Sequence, residues 1–143
     1  MALIKSISGI RGTIGGKPDE GLTPIDVVKY TSAFGSLIVK NGKSKNHLVV
    51  VGRDARMSGN MVSSLVCATL SGMGIDVIDL GLSTTPTVEM AVTEFKANGG
   101  IILTASHNPK QWNALKLLNE NGEFISEEVG KDLLNIANKE DFV

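Results

Sequence analysis

The stretch HLVVVG at residues 47–52 is a continuous apolar run that ends in glycine, typical of a central β-strand covered on both faces. Two similar short runs follow along the chain, IDVIDLG at 75–81 and GIILTA at 100–105. Segments with helical periodicity separate the three runs. Strands that alternate with helices in this way predict a three-layer α/β/α domain, with a small mixed sheet whose strands are mainly parallel.

Four segments carry helix signals, and a residue with a hydroxyl side chain stands at the start of each, as a candidate cap in the first two. These side chains belong to Thr23, Ser58, Thr85 and Ser126. The later segment 115–125 has Asn-Gly at its centre, at residues 121 and 122, and predicts a small hairpin. We therefore expect one domain over residues 1–143.

The composition narrows the class of protein. A chain of 143 residues, 42% apolar and 20% charged, reads as globular and can bury roughly 70% of its unfolded surface. Its formal net charge of −1, with scattered lysine and arginine, argues against nucleic acid or a membrane as the main partner. Cys67 is the only cysteine, which excludes an internal disulfide and suits a reducing cytoplasm.

Polar segments follow the three predicted core strands: GRDARMSG at 52–59, GLSTTP at 81–86 and TASHNP at 104–109. In open α/β sheets, ligands bind beyond the carboxyl ends of the parallel strands. These segments supply cationic and hydroxyl side chains and backbone N–H groups, which together suit a phosphate group. A fourth segment, SGIRGTIGG at 8–16, is glycine-rich, and the pattern does not fix its place in the sheet.

Each segment also has a simpler interpretation. The glycines of 8–16 match neither the Walker nor the dinucleotide spacing, so by themselves they indicate a turn. Ser106-His107 does not predict a hydrolase dyad, because sequence neighbours rarely point toward each other and no Gly-x-Ser-x-Gly elbow is present. A non-catalytic phosphate-binding α/β module stays open as the alternative to an enzyme.

The motif TASHNP followed by NALK, with SGIRG upstream and GRDARMSG between them, resembles the first domain of the α-D-phosphohexomutases. This superfamily of isomerases includes phosphoglucomutase, phosphomannomutase and phosphoglucosamine mutase. The resemblance covers nearly the whole chain, with the motifs in family order. It implies interconversion of hexose 1-phosphate and hexose 6-phosphate through a hexose bisphosphate, with the sugar leaning toward glucosamine or mannose.

The resemblance implies roles for seven residues. The implied catalytic residues are Ser106, His107, Lys116 and Arg11, and the implied phosphate-binding residues are Asn108, Arg53 and Asp54. Ser106 would carry the transferable phosphate, Lys116 would act as general acid and base near the sugar hydroxyl, and Arg11 would approach the reacting phosphate. The family usually has Asn-Gly before its lysine, whereas this chain has Asn113-Ala114. If that position needs a positive φ, Ala114 costs free energy.

The resemblance also implies partners outside these residues. Mg²⁺ would be shared between the phosphate on Ser106 and an aspartate loop of a second domain. The loop that recognises the sugar and the site for the substrate phosphate belong to the family's third and fourth domains. We therefore expect this chain to be the first domain of a longer enzyme, and to be inactive as a mutase by itself.

Overall fold

The computed structural model of the chain describes residues 2–6, 9–42, 45–105 and 108–143. Ser106 and His107 lie outside the described residues. Within the described ranges the elements are β1 (Leu3–Ser6), β2 (Gly9–Thr13), α1 (Pro24–Asn41), β3 (Leu48–Arg53), α2 (Gly59–Gly72), β4 (Asp76–Leu82), α3 (Thr85–Glu94), β5 (Gly99–Leu103), β6 (Trp112–Leu118) and α4 (Glu127–Lys139).

The strands of the described residues form one mixed sheet in the order β1-β2-β6-β5-β3-β4. The predicted core strands β4, β3 and β5 are parallel, whereas β1, β2 and β6 join the sheet through antiparallel pairs. The mixed α/β sheet is confirmed, but the term mainly parallel holds only for the half formed by β5, β3 and β4. The short connection between β5 and β6 explains this, because a parallel pair needs a crossover of about a dozen residues.

Helices cover both faces of the sheet, which confirms the three-layer architecture. One core lies between the sheet and helices α1, α2 and α4, and it takes Val49 and Val51 from strand β3. A smaller core lies under α3 on the opposite face and takes Val50 from the same strand. Alternate side chains of a strand point to opposite faces, so one apolar run contributes to both cores.

The helix starts show the predicted capping chemistry at Thr23 but not at Ser58. Thr23 and Asp26 form a capping box at α1, and the Ser126 hydroxyl accepts the N–H of Val129 at α4. Helix α3 begins at Thr85, as predicted, and the Thr84 side chain caps it. Ser58 precedes α2 with helical backbone angles and makes no side-chain cap bond, because capping requires an extended conformation at that residue.

Two segments differ in part from their predicted form. Part of the glycine-rich segment 8–16 is strand β2, and the turn is confined to its end, where Gly15 and Gly16 have φ values of 96° and 85°. The predicted hairpin 115–125 is present, since Leu118 pairs antiparallel with Phe124 across the turn at Asn121-Gly122. Its first strand belongs to the longer strand β6, which lies between β2 and β5. Among the described residues, no helix is long and apolar enough to cross a membrane.

Candidate functional site

The segments that follow the core strands lie along one edge of the sheet, as the sequence predicts. The backbone N–H of Asp54, after β3, donates to the carbonyl of Leu103 at the end of β5 (3.1 Å). The N–H of Ser83, after β4, donates to the carbonyl of Arg53 (3.0 Å). Helices α2 and α3 begin at the same edge, so the positive ends of their dipoles lie there. This arrangement favours an anionic ligand.

Arg11 and Lys116 lie in strands, whereas the sequence places both in polar loops. Arg11 is an exposed residue of β2, and Lys116 is a half-buried residue of β6. Arg11 pairs with Ala114 and Gly9 pairs with Lys116, so both cationic side chains belong to the same face of the sheet. Diagonal neighbours in such a pair lie about 7 Å apart. The strand register therefore brings together two cations that are distant in sequence.

Ala114 lies between these cations and the end of β5 in the sheet. Its carbonyl accepts the N–H of Thr104, the first residue after that strand (3.2 Å), and its Cα lies opposite Arg11. Ala114 is a buried residue of β6 and is not among the residues with positive φ. The condition for a conformational cost of alanine in place of the family's glycine is therefore not met, because an extended strand accepts any side chain with a Cβ.

The residues predicted to bind phosphate lie at the same edge. Arg53 Nη1 and Nη2 donate to the Asp54 carbonyl (3.3 Å) and to Asn60 Oδ1 (3.4 Å), so its side chain lies along the start of α2. The N–H of Asn108 donates to the carbonyl of Ala105 (3.0 Å), which joins the described residues on either side of positions 106 and 107. An open pocket of about 410 Å³ lies here, and its lining includes Asp54, Ala55, Arg56, Met57, Asn108 and Lys110.

Arg56 belongs to the segment 52–59, which the sequence offers as a source of cations for phosphate, but the sequence does not predict its contacts. Its Nη1 donates to the carbonyls of Pro109 (2.8 Å) and Trp112 (3.2 Å), and its Nε pairs with Asp54 Oδ2 (3.2 Å). The guanidinium thus bridges the segment after β3 and the segment after β5. Arginine in a loop after a strand is the signal available in the sequence, but its carbonyl partners are more than 50 positions away.

Asn113 is a second residue whose contacts the sequence does not predict. Its side chain is fully buried, its Nδ2 donates to Ser58 Oγ (2.9 Å) and its Oδ1 accepts the N–H of Ala114 (2.8 Å). A buried amide with both ends hydrogen-bonded fixes the start of β6 against the start of α2. Nothing in the local sequence pattern distinguishes this asparagine from a turn residue.

The described residues do not fit a magnesium site of their own. Magnesium prefers an octahedral set of oxygen ligands, and among the described residues no group of three His, Cys, Asp or Glu side chains is placed to hold a metal ion. Asp54 is the carboxylate that lines the pocket, and Arg56 already neutralises it.

Comparison with known proteins agrees with this arrangement. Residues 3–143 match the family model described as phosphoglucomutase/phosphomannomutase, alpha/beta/alpha domain I. A phosphoglucomutase/phosphomannomutase of Thermococcus kodakarensis is 41% identical over 133 residues, which is 92% of this chain and 29% of that protein. A phosphoglucosamine mutase of Alkaliphilus metalliredigens is 35% identical over 93% of this chain and 28% of its own length.

A solved structure gives the same result for the fold. A phosphoglucomutase/phosphomannomutase family protein from Burkholderia thailandensis superimposes with a TM-score of 0.84 and 28% identity. The superposition covers 97% of this chain and 30% of that one. The chain therefore spans less than a third of the length of these similar proteins.

Proposed function

Because the chain belongs to the phosphoglucomutase/phosphomannomutase family, as its α/β/α domain I, we propose that it is the phosphoserine-bearing domain of a phosphohexomutase. The enzyme would interconvert hexose 1-phosphate and hexose 6-phosphate in a reducing cytoplasm. Relatives named for glucosamine and for mannose make these sugars the first substrates to test.

The observation that carries the proposal is the position of Arg11 and Lys116. Both lie on one sheet face, and the Ala114 carbonyl is hydrogen-bonded to Thr104, just after β5, the strand that precedes Ser106 in the sequence. A phosphate on Ser106 would carry about −1.5 to −2 charges at pH 7, so nearby cations favour it. Catalysis of phosphoryl transfer depends mainly on positioning and on electrostatic stabilisation of the phosphoryl oxygens.

We assign the proposed steps to named atoms. In the first step, the bond between phosphorus and Ser106 Oγ breaks and a bond forms to one hydroxyl oxygen of a hexose monophosphate, which gives a bisphosphate. Lys116 accepts the proton of that hydroxyl, which requires the neutral amine. Ser106 Oγ leaves, takes up a proton from water, and returns that proton to water when Ser106 is phosphorylated again. After the sugar turns over, its other phosphate returns to Ser106 and Lys116 gives the proton back. Arg11 stabilises the charge on the phosphoryl oxygens, and His107 lies beside the phosphoserine.

We assign the other residues to support. Arg53, Asp54 and Asn108 hold the segments that surround the phosphate. Magnesium belongs to the proposal as an ion whose carboxylate ligands come from a further domain, with the phosphate on Ser106 as the contribution of this chain. Because recognition of the sugar is also assigned to further domains, we expect residues 1–143 by themselves to fold and to show no steady isomerisation of a hexose phosphate.

Phosphate transfer to Ser106 is the direct test. The full-length enzyme is incubated with glucose 1,6-bisphosphate, and peptide mass spectrometry locates the phosphate. We expect the label on Ser106 and its loss in Ser106→Ala. Ser83→Ala is the matched control, because Ser83 follows β4 at the same edge of the sheet and should leave the label in place.

The alternative function, a phosphate-binding module without catalysis, gives a different result. Such a module would bind the bisphosphate reversibly and would leave every serine unmodified. A stable covalent label on another residue, unchanged by Ser106→Ala, would contradict the assignment of the phosphoserine. Multiple turnovers by purified residues 1–143 would contradict the proposed need for further domains.

A further inference from the structure

We propose that Arg56 is the positioning residue of the loop that carries Ser106. This inference rests on the proposed function and adds a residue to it: Arg56 acts through the loop rather than on the sugar. The loop is the segment 104–111 between β5 and β6.

The loop is fixed on both sides by two residues of the segment after β3. Before the loop, the carbonyl of Leu103 accepts the N–H of Asp54 (3.1 Å). At its end, the carbonyls of Pro109 and Trp112 accept hydrogen bonds from Arg56 Nη1 (2.8 and 3.2 Å). In the sequence, Ser106 comes between these two anchors, which Asp54 and Arg56 hold.

Asp54 in turn orients the guanidinium. Its Oδ1 accepts the backbone N–H of Arg56 (3.1 Å) and its Oδ2 pairs with Arg56 Nε (3.2 Å). The carboxylate therefore contacts both the backbone and the side chain of the same residue. The Arg56 side chain is 13% exposed, so solvent competes little for these hydrogen bonds.

The shape of the arginine side chain is essential to this arrangement. One planar guanidinium reaches a carboxylate with Nε and two carbonyls with Nη1, in directions that the fork holds fixed. A lysine ammonium is a compact charge on a flexible stem, so it would keep the charge and lose the geometry. Misplacement of a reacting group by about 1 Å can reduce a rate about a hundredfold.

The first measurement is the order of the loop, and it can be made without an assay of enzyme activity. In the 143-residue chain, Arg56→Gln should raise hydrogen exchange at the amides of Asn108 and Trp112 about tenfold or more, without a change in the exchange of β3. Trp112 is the only tryptophan, so its fluorescence anisotropy reports the same segment. Lys110→Gln is the matched control, because it removes a positive charge from an exposed residue of the loop. Arg56→Lys tests geometry at constant charge and replaces Arg56→Gln if that variant does not fold.

Rate is the second measurement, made in the full-length enzyme. Arg56→Lys and Arg56→Ala should lower kcat for phosphoryl transfer about 10- to 100-fold with KM nearly unchanged, and millimolar guanidinium should restore part of the Arg56→Ala rate. Unchanged loop exchange in both the glutamine and lysine variants would overturn the proposal. So would a normal rate in Arg56→Lys, or an effect confined to KM. If loop exchange rises but Ser106 is never phosphorylated, the positioning contact stands and the proposed function is wrong.

Discussion

The two halves of the sheet contribute to the site in different ways. The parallel half, strands β5, β3 and β4, contributes the segments that follow its strands, which hydrogen bonds such as those of Arg56 and Asp54 hold together. The antiparallel half, strands β1, β2 and β6, contributes side chains from within its strands, and Arg11 and Lys116 lie there by register.

This difference predicts different responses to substitution. A side chain that register places on a sheet cannot move without a change in pairing, so its removal should affect chemistry and leave the fold intact. A loop that a few hydrogen bonds hold can move locally, so loss of one contact should disturb neighbouring residues first. The candidate site therefore combines cations fixed by strands with a loop fixed by side chains, and the proposed function makes that loop the phosphate carrier.

The largest expected effect is on rate, from the cations of the antiparallel half. Lys116→Met or Arg11→Met in the full-length enzyme should lower the rate of phosphoryl transfer about a hundredfold, or about 3 kcal/mol in the barrier, because each removes one preorganised charge. Methionine keeps an apolar stem against the sheet, so the melting temperature should change little. Stopped-flow transfer assays and thermal unfolding measure the two quantities.

Lys5→Met is the matched control for these cations. Lys5 lies in β1 opposite Ile10, on the other face of the same half of the sheet, and pairs with Asp19 (2.9 Å). We expect a normal transfer rate in this variant. A rate loss equal to that of Lys116→Met would mean that net charge, rather than position on the face, determines the effect.

The next largest effect is on the free energy of unfolding, and it compares a glycine of the antiparallel half of the sheet with a glycine of the parallel half. A Cβ at Gly9 of β2 would meet the backbone carbonyl of Leu115, whereas a Cβ at Gly52 of β3 would meet the side chains of Ser83 and Val88. Side chains can shift and a paired backbone cannot. We expect Gly52→Ala to cost about 1–3 kcal/mol and Gly9→Ala to cost more, as measured by urea unfolding.

Gly72→Ala provides the reference for these two variants. This glycine lies at the end of α2, and a Cβ there has open space around it. Alanine should therefore leave stability unchanged or raise it by about 0.5 kcal/mol. An equal or smaller loss for Gly9→Ala than for Gly52→Ala would contradict the idea that register makes the antiparallel half the more rigid one.

The sequence predicts the parallel half of the sheet better than it predicts the antiparallel half. The apolar runs of β3, β4 and β5 and the caps at Thr23 and Ser126 are local patterns, and they predict the parallel half and two helix starts. The pairing of β2 with β6 joins residues about a hundred positions apart, and periodicity carries no information about it.

The candidate site shows the same limit. The edge at which the segments converge follows from the strand pattern, because the carboxyl ends of parallel strands meet. The contacts of Arg56 with two carbonyls, and of Asn113 with Ser58, depend on the tertiary fold. Their residue types alone are equally typical of an exposed loop. Assignment of Arg11 and Lys116 to loops failed for this reason, since the pairing of β2 with β6 that places both in strands also depends on the tertiary fold.

The smallest expected effect concerns Tyr30 of α1, beneath the antiparallel half. Tyr30 is 1% exposed, and its hydroxyl has no hydrogen-bond partner within the part of the chain that the structure describes. Lys5 Nζ lies 5.9 Å from the centroid of its ring. An unpaired buried hydroxyl costs free energy, so Tyr30→Phe should leave the free energy of unfolding unchanged or raise it by about 1 kcal/mol at pH 7.

The pH dependence of that variant tests the explanation. Burial raises the pKa of Tyr30 above its ordinary value of 10.0, while the Lys5 ammonium offsets part of the rise. The native state therefore holds the phenol proton to higher pH than the unfolded state, and stability falls as pH rises through and above 10. Tyr30→Phe should lose less stability than the wild type between pH 9 and pH 11 in urea unfolding. In the variant, Asp19 still raises the pKa of Lys5, although the part of the rise due to Tyr30 is lost, and burial still raises the pKa of Cys67. A shallower alkaline decline should therefore persist. An equally steep decline, or a loss of stability at pH 7, would show that the buried hydroxyl is not a cost to the fold.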